Sequence, residues 1–310
     1  MEMKSSMTAA YKEKIVSQAW KKKLRTALEG YSFILPALIG MTVFLFIPML
    51  TILYNSFTDY YYLTPNDKAF IGFENYQRLF DDPLFYKALK NTLYFVIIVV
   101  PIQTAVALGL ALLVHPKIKF KKFFTVAFFS PVVMSLVVVG LLFTFLYNPN
   151  QGLFNALLET FGLPRLKFLT SSDQAMNAII FMSIWQGAGY QMIIFLAGLK
   201  DIPEQLYEAS SMDGASTWQK FVYVTLPGLR NVTIFVVITI TMAAFRLLIQ
   251  PLIMTQGGPI NSTKTLLYLM YEYGFQFREM GYGSAIAVIF MVIVLVIAGI
   301  QRIVLKEERG

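Results

Sequence analysis

The sequence contains no cysteine, so disulfides, thiol catalysis and cysteine-ligated metal sites are excluded. Its single histidine, His115, stands beside Pro116 without local ligand partners, and one such histidine does not indicate a metal site. Charged residues are also scarce, at 14% of the chain, whereas 56% of the chain is hydrophobic. Because soluble proteins carry about 25% charged residues, we interpret this chain as an integral membrane protein.

The sequence also lacks the motifs of several enzyme and transporter classes. No Gly-x-x-x-x-Gly-Lys-Ser/Thr pattern occurs, so the chain alone does not hydrolyse ATP. No Ser/His/Asp arrangement or carboxylate pair indicates a membrane hydrolase. The apolar runs hold no acidic residue, which argues against a proton-coupled secondary transporter. The net charge is +8, and the basic residues cluster beside the apolar runs. We therefore attribute them to the orientation of the chain in the membrane, and we expect no nucleic-acid partner.

Six apolar runs are long enough to cross a bilayer core, which takes about 20 residues of helix. They are Tyr31 to Phe57, Asn91 to Val114, Phe123 to Tyr147, Asn177 to Leu199, Leu229 to Thr255 and Ser284 to Val304. The prolines expected to kink several of them are Pro36, Pro48, Pro101, Pro131 and Pro251. The first run is too long for a signal peptide and lacks a small-residue cleavage site, so we expect it to be retained. We predict an all-α fold with six transmembrane helices over 31–305 and a tail over 306–310.

Residues 1–30 precede the first span and are strongly basic. Between Tyr11 and Glu29, apolar residues recur at helical spacing opposite a cluster of lysines. This pattern predicts an amphipathic helix on the anionic lipids of the membrane surface, with a disordered basic tail as the alternative. Lysine and arginine number 17 in the segments on this side of the six spans and 8 on the other side. We therefore predict that both termini are cytoplasmic.

The longest polar interruption in the C-terminal half runs from Lys200 to Arg230. It is predicted to form two short helices around a bend. The residues suited to start, bend or end them are Asp201 and Pro203, then Gly214, then Ser216 or Thr217, and finally Pro227. Apolar residues, including Leu206, Met212 and Trp218, recur on one face of each helix. Such a hairpin suits docking onto a soluble partner.

Within this segment the chain resembles the "EAA" loop of binding-protein-dependent ABC importer permeases. The pattern is Glu-Ala-Ala, three residues, Gly, nine residues, Ile, any residue, Leu-Pro. The residues of the predicted coupling loop, 200–228, are Glu208, Ala209, Ser210, Asp213, Gly214, Leu226 and Pro227. Ser210 and Val224 depart conservatively from Ala and Ile. The resemblance implies an ABC type I importer permease fold whose loop docks in a groove of a cytoplasmic ATPase subunit.

Two external stretches resemble the maltose, trehalose and glycerol-phosphate type of sugar permease. The matching residues are Gly72, Asn75 and Tyr76, then Asp82-Pro83 and Asn91-Thr92, and later Gly257-Gly258-Pro259 with Asn261-Ser262-Thr263. The resemblance implies that Gly257, Gly258 and Pro259 lie near an extracytoplasmic solute-binding protein. Asn261 or Ser262 could cap the helix that follows. The resemblance to this permease type also implies a second homologous permease and two ATPase subunits that hold ATP and Mg. We therefore expect no cofactor and no metal in this chain.

Polar residues within the spans are candidates for a substrate path. On the fourth run, Ser183, Gln186 and Tyr190 share one helical face, and by their distance from Glu208 they match positions that line the sugar site in the family. The alternative is that these side chains hold packed helices together. Gly187 and Gly189 beside them indicate close helix packing.

On the fifth run, Thr239, Arg246 and Gln250 recur at one-face spacing. Arg246 is the only charged residue deep in any run, and such a charge requires a partner or a wet cavity. Either the partner permease supplies a carboxylate or the cargo is negatively charged. We expect an acidic saccharide such as a uronate oligosaccharide, with a sugar phosphate, glycerol phosphate or a neutral oligosaccharide as alternatives. An amino-acid or phosphate importer is disfavoured by the external signatures, and a membrane enzyme or scaffold by the missing catalytic residues.

The predicted topology can be tested by cysteine labelling, because the chain has no native cysteine. We expect Asn261→Cys to react with a membrane-impermeant thiol reagent added outside the cell. Ser216→Cys should react only after permeabilisation. The reverse result would overturn the six-span topology.

Overall fold

The structure is a computed structural model that describes residues 30–115 and 119–304. The predicted N-terminal amphipathic helix and the predicted C-terminal tail lie outside these residues. The described ranges form helices and turns without a β-strand. The chain divides into two compact units, Met1–Tyr54 and Asn55–Gly310, which are described separately.

The described part of the first unit is one apolar helix, α1, over Gly30–Asn55. With 26 residues it is long enough to cross a membrane, which confirms the first predicted span. A π-helical turn at Thr42–Phe46 lies inside it, ahead of Pro48, and neither Pro36 nor Pro48 interrupts the helix.

The second unit contains the remaining described helices. In chain order they are α2 (Glu74–Asp81), α3 (Pro83–Val114), α4 (Lys121–Val133), α5 (Leu136–Leu146), α6 (Leu153–Thr160), α7 (Ala175–Asp201), α8 (Glu204–Met212), α9 (Thr217–Gly228), α10 (Arg230–Phe245), α11 (Ile249–Met254), α12 (Leu266–Tyr271) and α13 (Met280–Val304). A π-helical turn, Phe221–Thr225, lies inside α9, and another, Glu272–Gln276, continues α12. The lengths and composition of α3, α7 and α13 confirm the second, fourth and sixth predicted spans.

The third predicted span, Phe123 to Tyr147, is broken into α4 and α5. These helices meet at 99° across two non-helical residues. Pro131 has no N–H for the carbonyl of Ala127, and the Ser130 hydroxyl donates to that carbonyl instead, at 3.0 Å. The helix α4 continues past Pro131 to Val133, so the predicted kink is a full break that lies just beyond this proline. The run reaches spanning length only as a bent pair.

The fifth predicted span, Leu229 to Thr255, is not a continuous helix either. The helix α10 ends at Phe245, and α11 begins at Ile249. Pro251 cannot donate to the carbonyl of Leu247, so the helical hydrogen bonding stops there. The prediction is wrong for this segment, and the pair long enough to span is α9 with α10, which meet at 68°.

The helix α7 packs against three other helices of the second unit through glycines. A Cβ added to Gly187, Gly189 or Gly198 would meet, respectively, the Gln103 side chain of α3 at 2.5 Å, the Phe128 carbonyl oxygen of α4 at 2.1 Å and the Val232 side chain of α10 at 2.6 Å. Small residues allow such close backbone approach, which favours van der Waals packing between membrane helices. The close packing predicted at Gly187 and Gly189 is confirmed.

We predict that Gly189→Ala destabilises the protein by about 1–3 kcal/mol, because its methyl group would overlap the backbone of α4. The matched control is Gly109→Ala in α3, where a Cβ meets nothing within 4 Å. Thermal unfolding of the detergent-solubilised protein measures the difference. Equal unfolding midpoints for the two variants would contradict this packing.

Candidate functional site

The predicted helical hairpin is formed by α8 and α9. Its bend lies at Gly214, whose φ is +75°. The N–H groups of Gly214 and Ala215 donate to the carbonyls of Ser211 and Ser210, at 3.1 and 2.9 Å, which is the Schellman arrangement at a helix end. Ser216 then caps α9 through a capping box. The predicted bend at Gly214 and cap at Ser216 are confirmed.

The start of the hairpin differs from the prediction. Asp201 is the last residue of α7, because that helix continues further than expected, so Asp201 does not cap α8. Pro203 occupies the N-cap position instead of the first turn. Between them, Ile202 is extended and buried, and its side chain fills the space where a Cβ on Gly228 would lie, at 2.9 Å. The two ends of the hairpin therefore pack on each other beside α7 and α10.

Side-chain hydrogen bonds join the two hairpin helices. The hydroxyls of Tyr207 on α8 and Thr225 on α9 lie 2.9 Å apart. The Lys220 Nζ donates to the Ser211 hydroxyl at 2.7 Å. The first bond connects the middle of α8 to α9, and the second connects the two helices near the bend.

The coupling-loop residues are accessible to a partner. Glu208, Ala209, Asp213, Gly214, Leu226 and Pro227 are exposed, and Ser210 is half-buried. Large apolar side chains on the same hairpin are also exposed, with 85% of Met212 and 70% of Trp218 accessible. Apolar surface of this kind on a polar segment indicates a docking surface.

A cavity of about 1280 Å³ lies between the hairpin and the ends of α3 and α7. His115, Lys200 and Trp218 are among its lining residues. Burial lowers the pKa of His115 below the ordinary 6.5, and the charges of Lys121 and Lys200 lower it further. Both effects favour the neutral imidazole. Within the described ranges, no group of three or more His, Asp or Glu side chains is arranged to hold a metal ion.

The first predicted path set lies on α7. Ser183 is buried, and within the described residues its hydroxyl is the one buried side-chain oxygen or nitrogen without a hydrogen-bond partner. Gln186 Nε2 donates to the carbonyl of Pro131 at 3.5 Å, beside the break between α4 and α5. Tyr190 is half-exposed. Gln186 thus has a packing contact, the Ser183 hydroxyl is enclosed by protein, and Tyr190 is accessible. The path role of all three residues stays a prediction.

The second predicted path set does not share one helical face. Thr239 lies in α10 and donates to the carbonyl of Val236 at 2.9 Å. Arg246 follows the last residue of α10, and Gln250 lies in α11. The assumed spacing required a helix that Pro251 interrupts. Arg246 therefore lies in the break itself, and broken backbone at membrane depth occurs where it is enclosed by protein or lines a wet cavity.

The Arg246 side chain is exposed. Among residues 30–115 and 119–304, no side chain forms an ion pair or hydrogen bond with its guanidinium. Its positive charge is consequently open to a partner or ligand.

The turn predicted to face outward, called the external turn below, is formed by residues 255–265. Gly257 has a φ of +80°, and a Cβ there would meet Lys264 Cγ at 2.6 Å. Gly257 is buried, whereas Ile260 is 84% exposed. A protein that contacts this turn would reach Ile260 before Gly257. The contact predicted for Gly257, Gly258 and Pro259 stays a prediction.

The two stretches that resemble the sugar permeases contact each other. Asn91 Nδ2 in α3 donates to the carbonyls of Asn261 and Lys264, at 2.9 and 2.8 Å. The hydroxyl of Thr92 accepts the N–H of Leu266 at 2.9 Å. The turn is therefore fixed to α3 by side chains that the sequence places about 170 residues away.

The predicted cap at Asn261 or Ser262 is wrong. Thr265 caps α12 instead, accepting the N–H of Tyr268 at 3.2 Å. Turn residues 256–261 include several with positive φ, so the helical backbone starts only after them.

The other external signature also has a structural role. Asn75 Nδ2 donates to the carbonyls of Ser56 and Thr58, at 3.0 and 2.8 Å. Arg78 on α2 pairs with Glu279 at 2.6 Å. Partial burial of Arg78 opposes its charge, but the hydrogen bond and charge of Glu279 outweigh that effect and raise the pKa of Arg78.

Sequence reasoning missed two polar pairs. Gln103 and Gln191 are buried and join α3 to α7 through a 3.1 Å hydrogen bond. Both were visible as isolated amides in apolar runs, which is the signal for interhelical bonding. Lys264 and Glu272 form an ion pair at 2.6 Å with side chains 12% and 11% exposed. Because they lie in a turn and at a helix end, no periodicity could have paired them.

The described residues thus combine apolar helices of spanning length, two of them broken, with an exposed helical hairpin. The chain belongs to the family described as binding-protein-dependent transport system inner membrane component, which matches residues 103–309. Together with the sugar transport permeases among its relatives, this match confirms the predicted resemblance to sugar-type ABC importer permeases. The chain is a multi-pass subunit of the inner membrane and is not itself an enzyme.

Individual relatives extend this similarity over most of the chain. It is 37% identical over 275 residues to the Probable ABC transporter permease protein YurN of Bacillus subtilis, covering 87% of this chain and 94% of that one. It is 31% identical over 271 residues to the arabinooligosaccharides transport system permease protein AraP of Bacillus subtilis, covering 86% and 85%. A bacterial alginate ABC transporter, solved in complex with its alginate pentasaccharide-bound periplasmic protein, shares the fold. The TM-score is 0.80 at 23% identity, over 92% of this chain and 96% of that chain.

We predict that Gly214→Pro abolishes uptake, because proline fixes φ near −65° and the bend requires +75°. The membrane helices should still insert normally. The matched control is Gly214→Asn, since asparagine tolerates this backbone region and should keep most activity. Uptake in whole cells is compared with the amount of protein in the membrane. Normal uptake by the proline variant would refute the coupling role of the hairpin.

Proposed function

We propose that this chain is one of two homologous permease subunits that form the path of an ATP-driven saccharide importer. The observation that carries the proposal is the hairpin of α8 and α9, with its fixed bend and exposed apolar side chains. The relative named for arabinooligosaccharides covers 86% of this chain and supports a saccharide as the cargo.

Two cytoplasmic ATPase subunits would receive the hairpins of the two permeases. They would hold ATP and Mg, since this chain has no phosphate-binding loop. Met212 and Trp218 would supply apolar contacts in the ATPase groove. Because α8 follows α7 and α9 leads into α10, closure of the ATPases would move both helices. In this proposal the hairpin and both chain termini lie in the cytoplasm.

An external solute-binding protein would deliver the saccharide at the turn formed by residues 255–265. Ile260 is the exposed apolar side chain of this turn. The buried ion pair of Lys264 and Glu272 and the bonds from Asn91 hold the turn in place. A preformed loop loses little conformational freedom when a partner binds, which favours its use as a contact.

The cargo is proposed to be acidic, on the basis of Arg246. Its guanidinium has no partner among the described side chains and lies in a helix break, where ligands bind in many transporters. A guanidinium binds a carboxylate or phosphate through paired, charge-assisted hydrogen bonds. A uronate oligosaccharide fits this site, and a sugar phosphate or glycerol phosphate would match the same charge.

A neutral oligosaccharide is the second candidate. Tyr190 is half-exposed, so its hydroxyl is available for the hydroxyl groups of a sugar. In that case Arg246 would pair with a carboxylate of the partner permease. The similarity to the alginate transporter concerns the fold and does not choose between the two candidates.

The test measures ATPase activity of the reconstituted transporter with its binding protein, using a uronate trisaccharide and a neutral trisaccharide. We expect Arg246→Gln to weaken stimulation by the uronate roughly 10- to 100-fold, from loss of a charged hydrogen bond. Stimulation by the neutral sugar should change little. The matched control Arg246→Lys keeps the charge and should retain part of the uronate response. If both sugars stimulate all variants equally, Arg246 is a structural residue and the acidic-cargo proposal fails.

A further inference from the structure

Among the backbone groups that the break beside Arg246 leaves without a helical partner is the carbonyl of Leu247. In a continuous helix the carbonyl of Leu247 would accept the N–H of residue 251, but Pro251 has none. Leu247 is buried, and a buried carbonyl without a donor is strongly disfavoured. The hydroxyl of Thr265 supplies the missing donor at 2.6 Å.

Thr265 is fully buried, and its hydroxyl makes two contacts. Its oxygen accepts the N–H of Tyr268 as the cap of α12, at 3.2 Å. Its single proton is directed to Leu247. One side chain thus joins the first turn of α12 to the broken helix.

The neighbouring residues hold Thr265 in position. Leu266, the next residue, donates its N–H to Thr92 of α3. Lys264, the preceding residue, pairs with Glu272 and provides a carbonyl to Asn91. The position of Thr265 is therefore set by α3 and by the external turn, which is also bonded to α11 through the N–H of Gly257 and the carbonyl of Pro251.

We propose that Thr265 is a positioning residue for Arg246, acting through the carbonyl of Leu247. The bond fixes the backbone immediately after Arg246 and so sets the place from which the guanidinium projects. A partner that shifts the external turn would shift this break through the same bond. The inference rests on the proposed function only in that Arg246 faces the transport path.

The test uses the assembled transporter in proteoliposomes, with the other subunits free of cysteine. Arg246→Cys provides a single thiol, and its reaction rate with an anionic methanethiosulfonate reports the environment of position 246. We expect Thr265→Val to raise this rate about tenfold, because a lost buried hydrogen bond frees the break. Thr265→Ser keeps the hydroxyl and should stay within about twofold of the parent.

Pro251→Ala separates this role from the capping of α12. Residue 251 then has an N–H that can donate to Leu247, so adding Thr265→Val should change the rate by less than about twofold. If Thr265→Val prevents assembly, the double variant should still assemble. An unchanged rate in Thr265→Val, the same tenfold rise in the Pro251→Ala background, or failure of both variants to assemble would overturn the proposal. No saccharide is present, so the result does not depend on the identity of the cargo.

Discussion

Close backbone packing along α7 is the constraint on which the rest of the second unit depends. Lipid removes most of the hydrophobic drive between helices, so their association relies on van der Waals contact. Gly189 and Gly198 allow α4 and α10 to approach α7 at distances that a Cβ would prevent, and Gly187 leaves space for the Gln103 side chain of α3. These contacts fix α10 relative to α3. They therefore also set the positions of the hairpin, which precedes α10, and of the helix break, which follows it.

The two broken helices follow one physical rule. Each proline removes a donor, and a hydroxyl replaces it: Ser130 serves Ala127 beside Pro131, and Thr265 serves Leu247 beside Pro251. The first hydroxyl is local, whereas the second comes from another element. A local replacement keeps a bend within its own segment. A distant one ties the bend to a second part of the protein, which is how the external turn becomes connected to the break at Arg246.

The function follows from the order of these parts along the chain. The hairpin lies between α7 and α10, and its helices are joined by the bonds from Tyr207 to Thr225 and from Lys220 to Ser211. Beyond α10 come the break at Arg246 and then the external turn. A cytoplasmic partner and an external partner would therefore act on the same helix from opposite ends. Arg246, which carries the proposed cargo-binding charge, lies between α10 and the external turn, so a movement of either would reach it.

The sequence by itself determined the apolar spans, the bend at Gly214, the cap at Ser216 and the family, because each depends on composition or on residues close along the chain. It failed where a helix of suitable hydrophobicity was assumed to be continuous, at 134–135 and 246–248. Proline marked these places, but a proline can also lie inside an unbroken helix, as Pro101 does in α3. Only the tertiary structure decided which prolines break their helices. Whether a helix can end inside a membrane protein depends on a donor for the freed carbonyl, and at Leu247 that donor lies 18 residues away in sequence.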